Sequence, residues 1–383
     1  MPGTYVSAWK DETVRALAAT ASKFVDEHLV ARREEWETDH QVGRDVWREA
    51  GALGLLCCSI PEEYGGGGGT LAHDLVVCET QWAAGDTAWG NIVHSGVVAH
   101  YLLSYGTEKQ KCEWLPAMAS GEVVAAVAMT EPGAGSDLKN IRTRAVASGD
   151  ELIIDGSKTF ISNGQSADLI LVVAKTNPDA GAKGISLVLV DARDAPGFVR
   201  GRVLDKIGQS GADTSELAFN GVKVPASNVL GETTGRGFAQ LMAQLVQERL
   251  LIAATATASM EAALTETLAY VKTRSAFGQS IFDFQATRFA LAEMATTVHL
   301  GRVFLDSCVE RHLAGELDTA TASMAKWWLT EQQVDVIDRC LQLHGGYGYV
   351  REYSIARRFA DSRAQRIYGG TNEIMKEMVA RSL

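Results

Sequence analysis

The order of apolar and polar positions divides the chain into three stretches with different periods. Over residues 5–122, apolar side chains recur three and four positions apart with charges between them, as at Val14, Leu17 and Ala21. This spacing puts them on one face of a helix, so it predicts a helical region. The run Pro61–Thr70, which contains five consecutive glycines, breaks that region and predicts a flexible loop.

The pattern changes near residue 123. Short β-like runs such as Asp168–Ala174 and Gly184–Asp191 alternate with Gly, Asn, Asp and Pro positions. Their spacing predicts an antiparallel barrel or sandwich of about 110 residues. No helical period separates the runs, which argues against a doubly wound parallel sheet.

From about residue 233 the helical period returns and continues to the end of the sequence. Leu241, Leu245 and Ile252 mark one helix, and residues 281–312 and 317–343 predict two further long helices. We therefore predict an α+β multidomain fold. Its parts are an N-terminal α-helical domain at residues 1–122, a middle antiparallel β-barrel or sandwich domain at residues 123–232 and a C-terminal domain resembling a four-helix bundle at residues 233–383.

Charge and composition exclude several classes of protein. The net charge of −11 argues against a nucleic-acid-binding protein, which needs a basic surface. The N-terminal segment lacks a signal or transit pattern, and no apolar run reaches the ~18 residues that span a bilayer. We therefore expect a soluble, cytoplasmic protein with no stable membrane insertion. The six cysteines form no CxxC pair and the eight histidines show no ligand spacing, so we expect no metal site.

Glycine points to the segments that carry candidate chemistry. The 37 glycines outnumber the 7 prolines, which suggests backbone that approaches a ligand closely. In Met129–Asp137, backbone N–H groups and the hydroxyls of Thr130 and Ser136 can face an anionic or electron-rich ligand. Lys158–Gly164 offers an aromatic face for a flat heterocycle, and Ile367–Ile374 restarts a helix at a Thr/Asn cap. Taken singly, the first two segments are explained more simply as ordinary turns.

Glu248 is the candidate acid–base residue. It follows Leu241 and Leu245 and precedes Ile252 at spacings of four, three and four, so all of them share one helical face. A carboxylate on an apolar face has either a raised pKa or a partner. An ion pair with Arg249, or with a cation on another helix, explains the pattern equally well.

Five motifs, in this order, resemble those of the acyl-CoA dehydrogenases. They are Met129–Asp137, Phe160–Gly164, Arg274–Gly278, Gln342–Gly346 and Ile367–Glu373, and the resemblance extends over about residues 5–383. It implies a homotetrameric flavoprotein of fatty acid metabolism and β-oxidation. Its FAD would lie between the β domain and the C-terminal helices, with part of the adenylate half held by a neighbouring subunit. The resemblance also implies an acyl-CoA substrate and an electron-transfer flavoprotein as acceptor.

The resemblance places cofactor-binding residues at the matching motif positions. Phe160 is expected to cover the isoalloxazine face, and Ser162 is expected to form a hydrogen bond near N5. Residues from Arg274 onward are expected to meet the FAD of a neighbouring subunit. The complete expected set is Met129, Thr130, Gly135, Ser136, Phe160, Ile161, Ser162, Arg274, Phe277, Gln285, Gln342, Leu343, His344, Gly345, Gly346, Thr371, Asn372 and Glu373.

The resemblance also bears on the two explanations of Glu248. Many family members carry the catalytic glutamate directly after the Tyr of the last motif, where this chain has Gly369. The long-chain and isovaleryl branches instead supply the base as a Glu before an Arg on this helix. We therefore predict Glu248 as the base and Gly369 as a backbone donor to the thioester carbonyl, with glycine avoiding a collision with the relocated carboxylate. The expected substrate-binding residues are Ser136, Val246, Arg249, Tyr368, Gly369 and Gly370.

These assignments predict an FAD-dependent acyl-CoA dehydrogenase. It would remove a proton α to a thioester and transfer a hydride from the β carbon to the flavin, leaving a trans-2 double bond. A flavin monooxygenase or oxidase on the same fold is one alternative, and Glu248 argues against it because such relatives often lack a base at both positions. A non-catalytic scaffold on a degenerate dehydrogenase fold is another, and it would not need the FAD motifs. The length and branching of the acyl group stay open.

Overall fold

α-Helices fill the N-terminal region, as predicted, in a computed structural model that describes residues 5–383. They are α1 (Glu12–Phe24), α2 (Arg33–Asp39), α3 (Arg44–Ala52), α4 (Leu71–Ala83), α5 (Asn91–Val93), α6 (Ala99–Tyr105) and α7 (Glu108–Ala119). The Asp11 side chain begins α1 by accepting a hydrogen bond from the Val14 N–H. Thr107 caps α7 in a reciprocal arrangement with Gln110. Both caps satisfy backbone N–H groups that have no partner within the helix.

The five glycines of residues 65–69 form an ordered loop, which corrects the prediction of a flexible one. The N–H of Gly69 donates to the carbonyl of Cys58 at 2.9 Å. A Cβ atom on Gly66 would lie 2.2 Å from the carbonyl oxygen of Ile60. Glycine is needed here because two stretches of backbone pack directly on each other.

Within the described residues, seven strands form one sheet in the middle of the chain. They are β1 (Ala125–Ala128), β2 (Arg144–Ser148), β3 (Glu151–Ser162), β4 (Leu169–Lys175), β5 (Ile185–Asp191), β6 (Phe198–Val203) and β7 (Thr214–Pro225). The order across the sheet is β1–β4–β2–β3–β7–β6, and β5 also pairs with β4. The sheet curls as a half-barrel around buried side chains such as Ile154, Val172 and Phe219. The predicted β domain is thus confirmed.

Two strand pairs differ from the predicted antiparallel arrangement. β2 meets β4 in parallel at Arg144 and Lys175, and β1 and β4 form the longer parallel pair. β1 runs parallel to β4, with Ala125 opposite Leu169 and Ala128 opposite Val172. Both strands are almost continuously apolar and buried, which is typical of parallel pairs. The sequence could not reveal this direction, because a strand buried on both faces has the same apolar pattern in either orientation.

Long helices form the C-terminal region, which confirms the predicted helical bundle. Its elements are α8 (Gly237–Thr273), β8 (Ser275–Ala276), β9 (Gln279–Ser280), α9 (Gln285–Leu313), α10 (Thr319–His344), α11 (Ser354–Ser362) and α12 (Asn372–Ala380). α8 lies at the centre, where Ala253, Ala254 and Ala256 have no exposed surface. Small side chains at these positions let the neighbouring helices approach closely. In residues 5–383, no helix has the length and apolar character needed to cross a membrane.

Candidate active site

Two of the predicted motifs meet at the end of β1. The N–H of Thr159 donates to the carbonyl of Thr130 at 3.0 Å. The buried Lys158 ammonium donates to the carbonyls of Met129 (3.1 Å) and Val173 (2.7 Å). One backbone and two side-chain contacts therefore fix the segment after β1 against the neighbouring strands.

A buried ion pair lies at the same corner, where the segment after β1 meets β3. Lys158 Nζ lies 2.9 Å from Glu131 Oε1, and the carboxylate also accepts from the N–H groups of Arg142 (2.6 Å) and Thr143 (2.9 Å). Burial lowers the pKa of Lys158 to about 8, and the Glu131 charge offsets part of that shift. Burial also opposes ionisation of Glu131, but the Lys158 charge and the hydrogen-bond donors outweigh it. The pKa of the Glu131 carboxyl therefore lies below its usual value.

Phe160 faces outward because the register of β3 against β7 shifts between Lys158 and Ile161. At this irregularity Phe160 has a φ of 59° and an exposed fraction of 67%. An irregular pair of this kind turns a side chain out of the usual alternation. Ile161 is buried in the β core, so its expected cofactor contact is restricted to its backbone. Ser162 remains partly exposed.

The loop after β1 borders open space. A Cβ atom on Gly133 or Gly135 would have no heavy atom within 4 Å. Packing inside this chain therefore does not require glycine there, in contrast to the loop at residues 65–69. Ser136 is exposed and Thr130 is partly exposed, so both hydroxyls can be reached by a ligand.

A second group of predicted cofactor residues lies on the surface at one end of the C-terminal helices. The Arg274 guanidinium stacks on the Tyr347 ring at 5.5 Å, which connects the β8–β9 hairpin to the segment after α10. Phe277 is 96% exposed. The other exposed members are Gln285, Gln342, Gly345 and Gly346. Side chains this exposed could complete a site together with another molecule.

His344 and Leu343 differ from the rest of this group because their side chains face inward. The His344 ring stacks on Tyr270 with 4.3 Å between the centroids, and its Nδ1 lies 2.9 Å from the Cys340 carbonyl oxygen. Leu343 packs against the same helical core. Both side chains therefore pack within this chain, and their expected cofactor contacts stay predictions.

Glu248 lies on α8 with a partly exposed side chain. Its Oε1 accepts a hydrogen bond from the Tyr101 hydroxyl of α6 at 2.8 Å. Burial raises the pKa of Glu248 to about 7, and the Tyr101 hydrogen bond and the Arg249 charge offset part of that rise. Within residues 5–383 the carboxylate forms no ion pair, so the structure favours the poised carboxylate over the ion-pair explanation.

Gly369 lies beside Ile252, one turn after Glu248 on α8. A Cβ atom on Gly369 would lie 2.4 Å from Ile252 Cδ1, and the φ of Gly369 is 67°. A Cβ atom there would meet Ile252 and no Glu248 atom within 4 Å, so the collision of a longer side chain with the carboxylate stays a prediction. The contact nevertheless brings the Gly369 turn next to the helical face that carries Glu248.

Arg249 is buried among the helices of the bundle. It is 4% exposed, and its Nη1 lies 3.3 Å from Ser323 Oγ. Its Nε has no partner within the described residues, which leaves one donor unused beside the proposed base. Val246 is partly exposed and Tyr368 is 37% exposed, so both can be reached by a substrate. The substrate contacts of these three residues stay predictions.

The last motif leads into α12 through a Thr cap, as predicted. Thr371 Oγ1 accepts a hydrogen bond from the first turn of that helix at 3.4 Å. Asn372 is buried: its Oδ1 accepts from Lys326 Nζ at 2.9 Å, and its Nδ2 donates to Glu331 at 3.0 Å. The Asn372 side chain therefore joins α12 to α10, and its expected cofactor contact stays a prediction. Glu373 is exposed.

Sequence reasoning gave no role to three buried residues that hold the site. Tyr101 contacts Glu248, Lys158 contacts the Met129 carbonyl, and Lys326 Nζ donates to the Gly370 carbonyl at 2.7 Å. Their partners are 147, 29 and 44 positions away in the chain, so local spacing could not identify them. The one available signal is a lysine within an apolar run, since a buried lysine requires a partner.

Contacts within this chain join the predicted residues in three groups. The first is the corner where the segment after β1 meets β3, and the second is the α8 face with the turn at residues 368–371. The third is the exposed end of the C-terminal helices.

Comparison with known proteins gives the family. The family model for the acyl-CoA dehydrogenase N-terminal domain matches residues 11–122, that for the middle domain matches residues 126–222 and that for the C-terminal domain matches residues 235–383. The chain belongs to the acyl-CoA dehydrogenase family and is a flavoprotein oxidoreductase, which confirms the resemblance seen in its motifs.

Individual relatives agree with this assignment. The mitochondrial long-chain specific acyl-CoA dehydrogenase of Rattus norvegicus is 47% identical over 363 residues, which cover 94% of this chain and 84% of that protein. An acyl-CoA dehydrogenase structure from Geobacillus kaustophilus has a TM-score of 0.96 at 46% identity and covers 98% of this chain and 99% of its own. A glutaryl-CoA dehydrogenase from Mycobacterium smegmatis, solved in complex with FADH2, has a TM-score of 0.90 at 28% identity and covers 98% and 95%.

Proposed function

We propose that the chain is an FAD-dependent dehydrogenase that introduces a trans-2 double bond into an acyl-CoA, with Glu248 as the base. One observation carries this proposal. Glu248 has a partly exposed carboxylate with a pKa of about 7, one hydrogen bond and no ion pair within the described residues. Such a group accepts a proton far more readily at neutral pH than an ordinary carboxylate does.

FAD fits the residues that surround the corner after β1. Gly133 and Gly135 border open space, and the exposed Phe160 ring offers a face to a flat heterocycle. Accessible hydroxyls on Ser136 and Ser162 add hydrogen-bond donors. The structure of the M. smegmatis relative in complex with FADH2 supports a flavin as the cofactor. When bound, FAD would supply the acceptor for the hydride that leaves the β carbon.

The residues of the chain perform the proton transfer and hold the thioester. Glu248 takes the α proton. The Gly369 N–H donates to the thioester carbonyl, and a donor aimed at the charge that develops there contributes on the order of 3 kcal/mol. Lys326 and Asn372 hold the next carbonyl and the start of α12, so the Gly369 turn is fixed before substrate binds.

An electron-transfer flavoprotein would accept the electrons, and the active unit would be a homotetramer. The exposed end of the C-terminal helices supports a subunit contact, because Phe277 is 96% exposed in one chain. Large apolar side chains left this exposed mark interaction sites when they lie near one another, and Tyr349 on the same end is 91% exposed.

The test uses the purified holoprotein. Released flavin is identified by mass, and the enzyme is mixed anaerobically with saturated acyl-CoAs of different length and branching while flavin bleaching is followed. We expect FAD, bleaching by at least one acyl-CoA and a product two mass units lighter than the substrate. Colourless protein without FAD would favour a scaffold. Flavin that no acyl-CoA bleaches, together with rapid oxygen consumption by the reduced protein, would favour an oxidase or monooxygenase.

A further inference from the structure

Tyr101 is a buried residue of α6 whose hydroxyl faces the carboxylate of Glu248. The side chain has no exposed surface, and its hydroxyl donates to Glu248 Oε1 at 2.8 Å. We propose that Tyr101 is the positioning residue of the base: it holds Oε1 and keeps the carboxylate ionised, and it leaves Oε2 for the substrate proton. This inference rests on the proposed role of Glu248.

The two oxygens of Glu248 have different surroundings. Oε1 is held by Tyr101, whereas Oε2 forms no hydrogen bond within residues 5–383. Oε2 is also not among the fully buried polar atoms that lack a partner, so it keeps some accessible surface. One oxygen is therefore anchored and the other is accessible, as an oriented base requires.

The surrounding helices place Tyr101 opposite Glu248. Gln247 Nε2 donates to the Gly96 carbonyl at 2.9 Å, and Gln244 Nε2 donates to the His100 carbonyl at 3.0 Å. These two glutamines lie one and four positions before Glu248, and their acceptors lie in the segment that leads into Tyr101. Both bonds therefore fix the register of α8 against this segment.

Among the described residues, Arg249 is the one other group whose charge lowers the pKa of Glu248, and no ion pair joins the two side chains. Arg249 is on the same helix, and its Nη1 is directed to Ser323 Oγ. Tyr105, one turn after Tyr101, has its ring centroid 6.2 Å from that of Tyr101. The turn at Gly369 packs against Ile252 on this face of α8.

The Tyr101 hydroxyl opposes the effect of burial on the pKa of Glu248. Burial raises the pKa of Glu248, whereas a donor to the carboxylate stabilises the ionised form and lowers it. Loss of the hydroxyl should raise the pKa of the base further, so that less of the enzyme is ionised at neutral pH. A hydrogen bond to a charged group corresponds to a shift of about one to two pH units.

The experiment compares the pH profiles of kcat/KM for wild type, Tyr101→Phe and Tyr105→Phe, each with FAD bound. We expect the acid limb of Tyr101→Phe to move up by about one to two pH units, so that activity falls about tenfold or more at pH 6 and recovers near pH 9. Tyr105→Phe should keep the wild-type limb. An unmoved limb in Tyr101→Phe, or an equal loss at every pH, would overturn the inference.

A second variant protects the test against misfolding. A difluorotyrosine at position 101 keeps the shape of the side chain and makes its hydroxyl a stronger donor, so the acid limb should move to lower pH. A limb that stays in place or moves to higher pH would overturn the inference, even if Tyr101→Phe fails to fold. Glu248→Gln separates the two proposals: activity in that variant defeats the proposed base. An inactive Glu248→Gln beside an unmoved Tyr101→Phe limb defeats only the role of Tyr101.

Discussion

Two glutamates, Glu131 and Glu248, have surroundings that shift their carboxyl pKa values in opposite directions. Glu131 is 6% exposed and accepts hydrogen bonds from Lys158, Arg142 and Thr143. Glu248 is partly exposed and accepts one hydrogen bond, from the neutral hydroxyl of Tyr101. The pKa of Glu131 lies below its usual value, whereas burial raises the pKa of Glu248 to about 7.

The contrast separates a structural carboxylate from a reactive one. The Lys158 cation and two backbone N–H donors stabilise the ionised form of Glu131, which holds the segment after β1 in place. Glu248 accepts one hydrogen bond, which stabilises its ionised form but leaves its pKa high enough for it to act as a base at neutral pH. Its second oxygen is accessible. Carboxylates of one protein acquire different roles when their surroundings push their pKa values apart.

The largest effect is expected when the ion pair of Glu131 is broken. Lys158→Met leaves that carboxylate buried without its cation, so the free energy of unfolding should fall by about 3–5 kcal/mol in denaturant titrations. Lys223→Met is the matched control, because it removes an exposed Lys–Glu pair from the same sheet, at 3.8 Å from Glu151. This control should change stability by less than about 0.5 kcal/mol.

A double variant decides whether the uncompensated charge is the cause. Lys158→Met with Glu131→Gln removes the charge and keeps an acceptor oxygen for one of the two backbone N–H groups, so part of the lost stability should return. If the double variant is less stable than Lys158→Met alone, the unpaired Glu131 charge is not the cause of the lost stability. The proposed contrast between Glu131 and Glu248 would then be wrong for Glu131.

Replacement of Glu248 is expected to change the free energy of unfolding in the opposite direction. Because its pKa is raised from about 4.5 to about 7 on folding, the folded protein prefers the protonated form and pays for ionisation above pH 7. Glu248→Gln should therefore be more stable than wild type at pH 8, by about 1–3 kcal/mol. The gain should shrink as the pH falls from 7 and vanish below about pH 4.5. A variant that is destabilised at pH 8 would contradict a strained, raised-pKa carboxylate.

A smaller effect concerns the turn that borders Glu248. Gly369→Ala forces a side chain into the left-handed region and toward Ile252, so it should cost about 1–2 kcal/mol of unfolding free energy. Adding Ile252→Ala should relieve the contact but not the backbone strain. Gly133→Ala is the control, because open space surrounds that position, and equal losses in both glycine variants would contradict the role of Ile252.

Site residues could be predicted from the sequence when the residues that they contact are close to them in the chain. The helical spacing of Leu245, Glu248 and Ile252 placed Glu248 on an apolar face, and the Thr371 cap was visible in the last motif. Tyr101 was not predictable, because 147 positions separate it from Glu248. The burial of Asn372 was missed for the same reason, since its partners lie on another helix.

The direction of β1 was also beyond sequence reasoning. Its alanine-rich run fits either orientation, and only the path of the chain through β2 and β3 brings it parallel to β4. The glycines of residues 65–69 illustrate a related difficulty. A run of glycines indicates freedom when read alone, but here it marks a place where backbone packs on backbone.

The most direct test of the central claim is single-turnover flavin reduction by a saturated acyl-CoA under anaerobic conditions. Wild type and Glu248→Gln are compared at equal FAD content, with the acyl-CoA that bleaches wild type fastest. Removal of a general base predicts a rate about 10²–10⁴-fold lower in Glu248→Gln, with FAD still bound. A rate within a few-fold of wild type would show that another group takes the α proton.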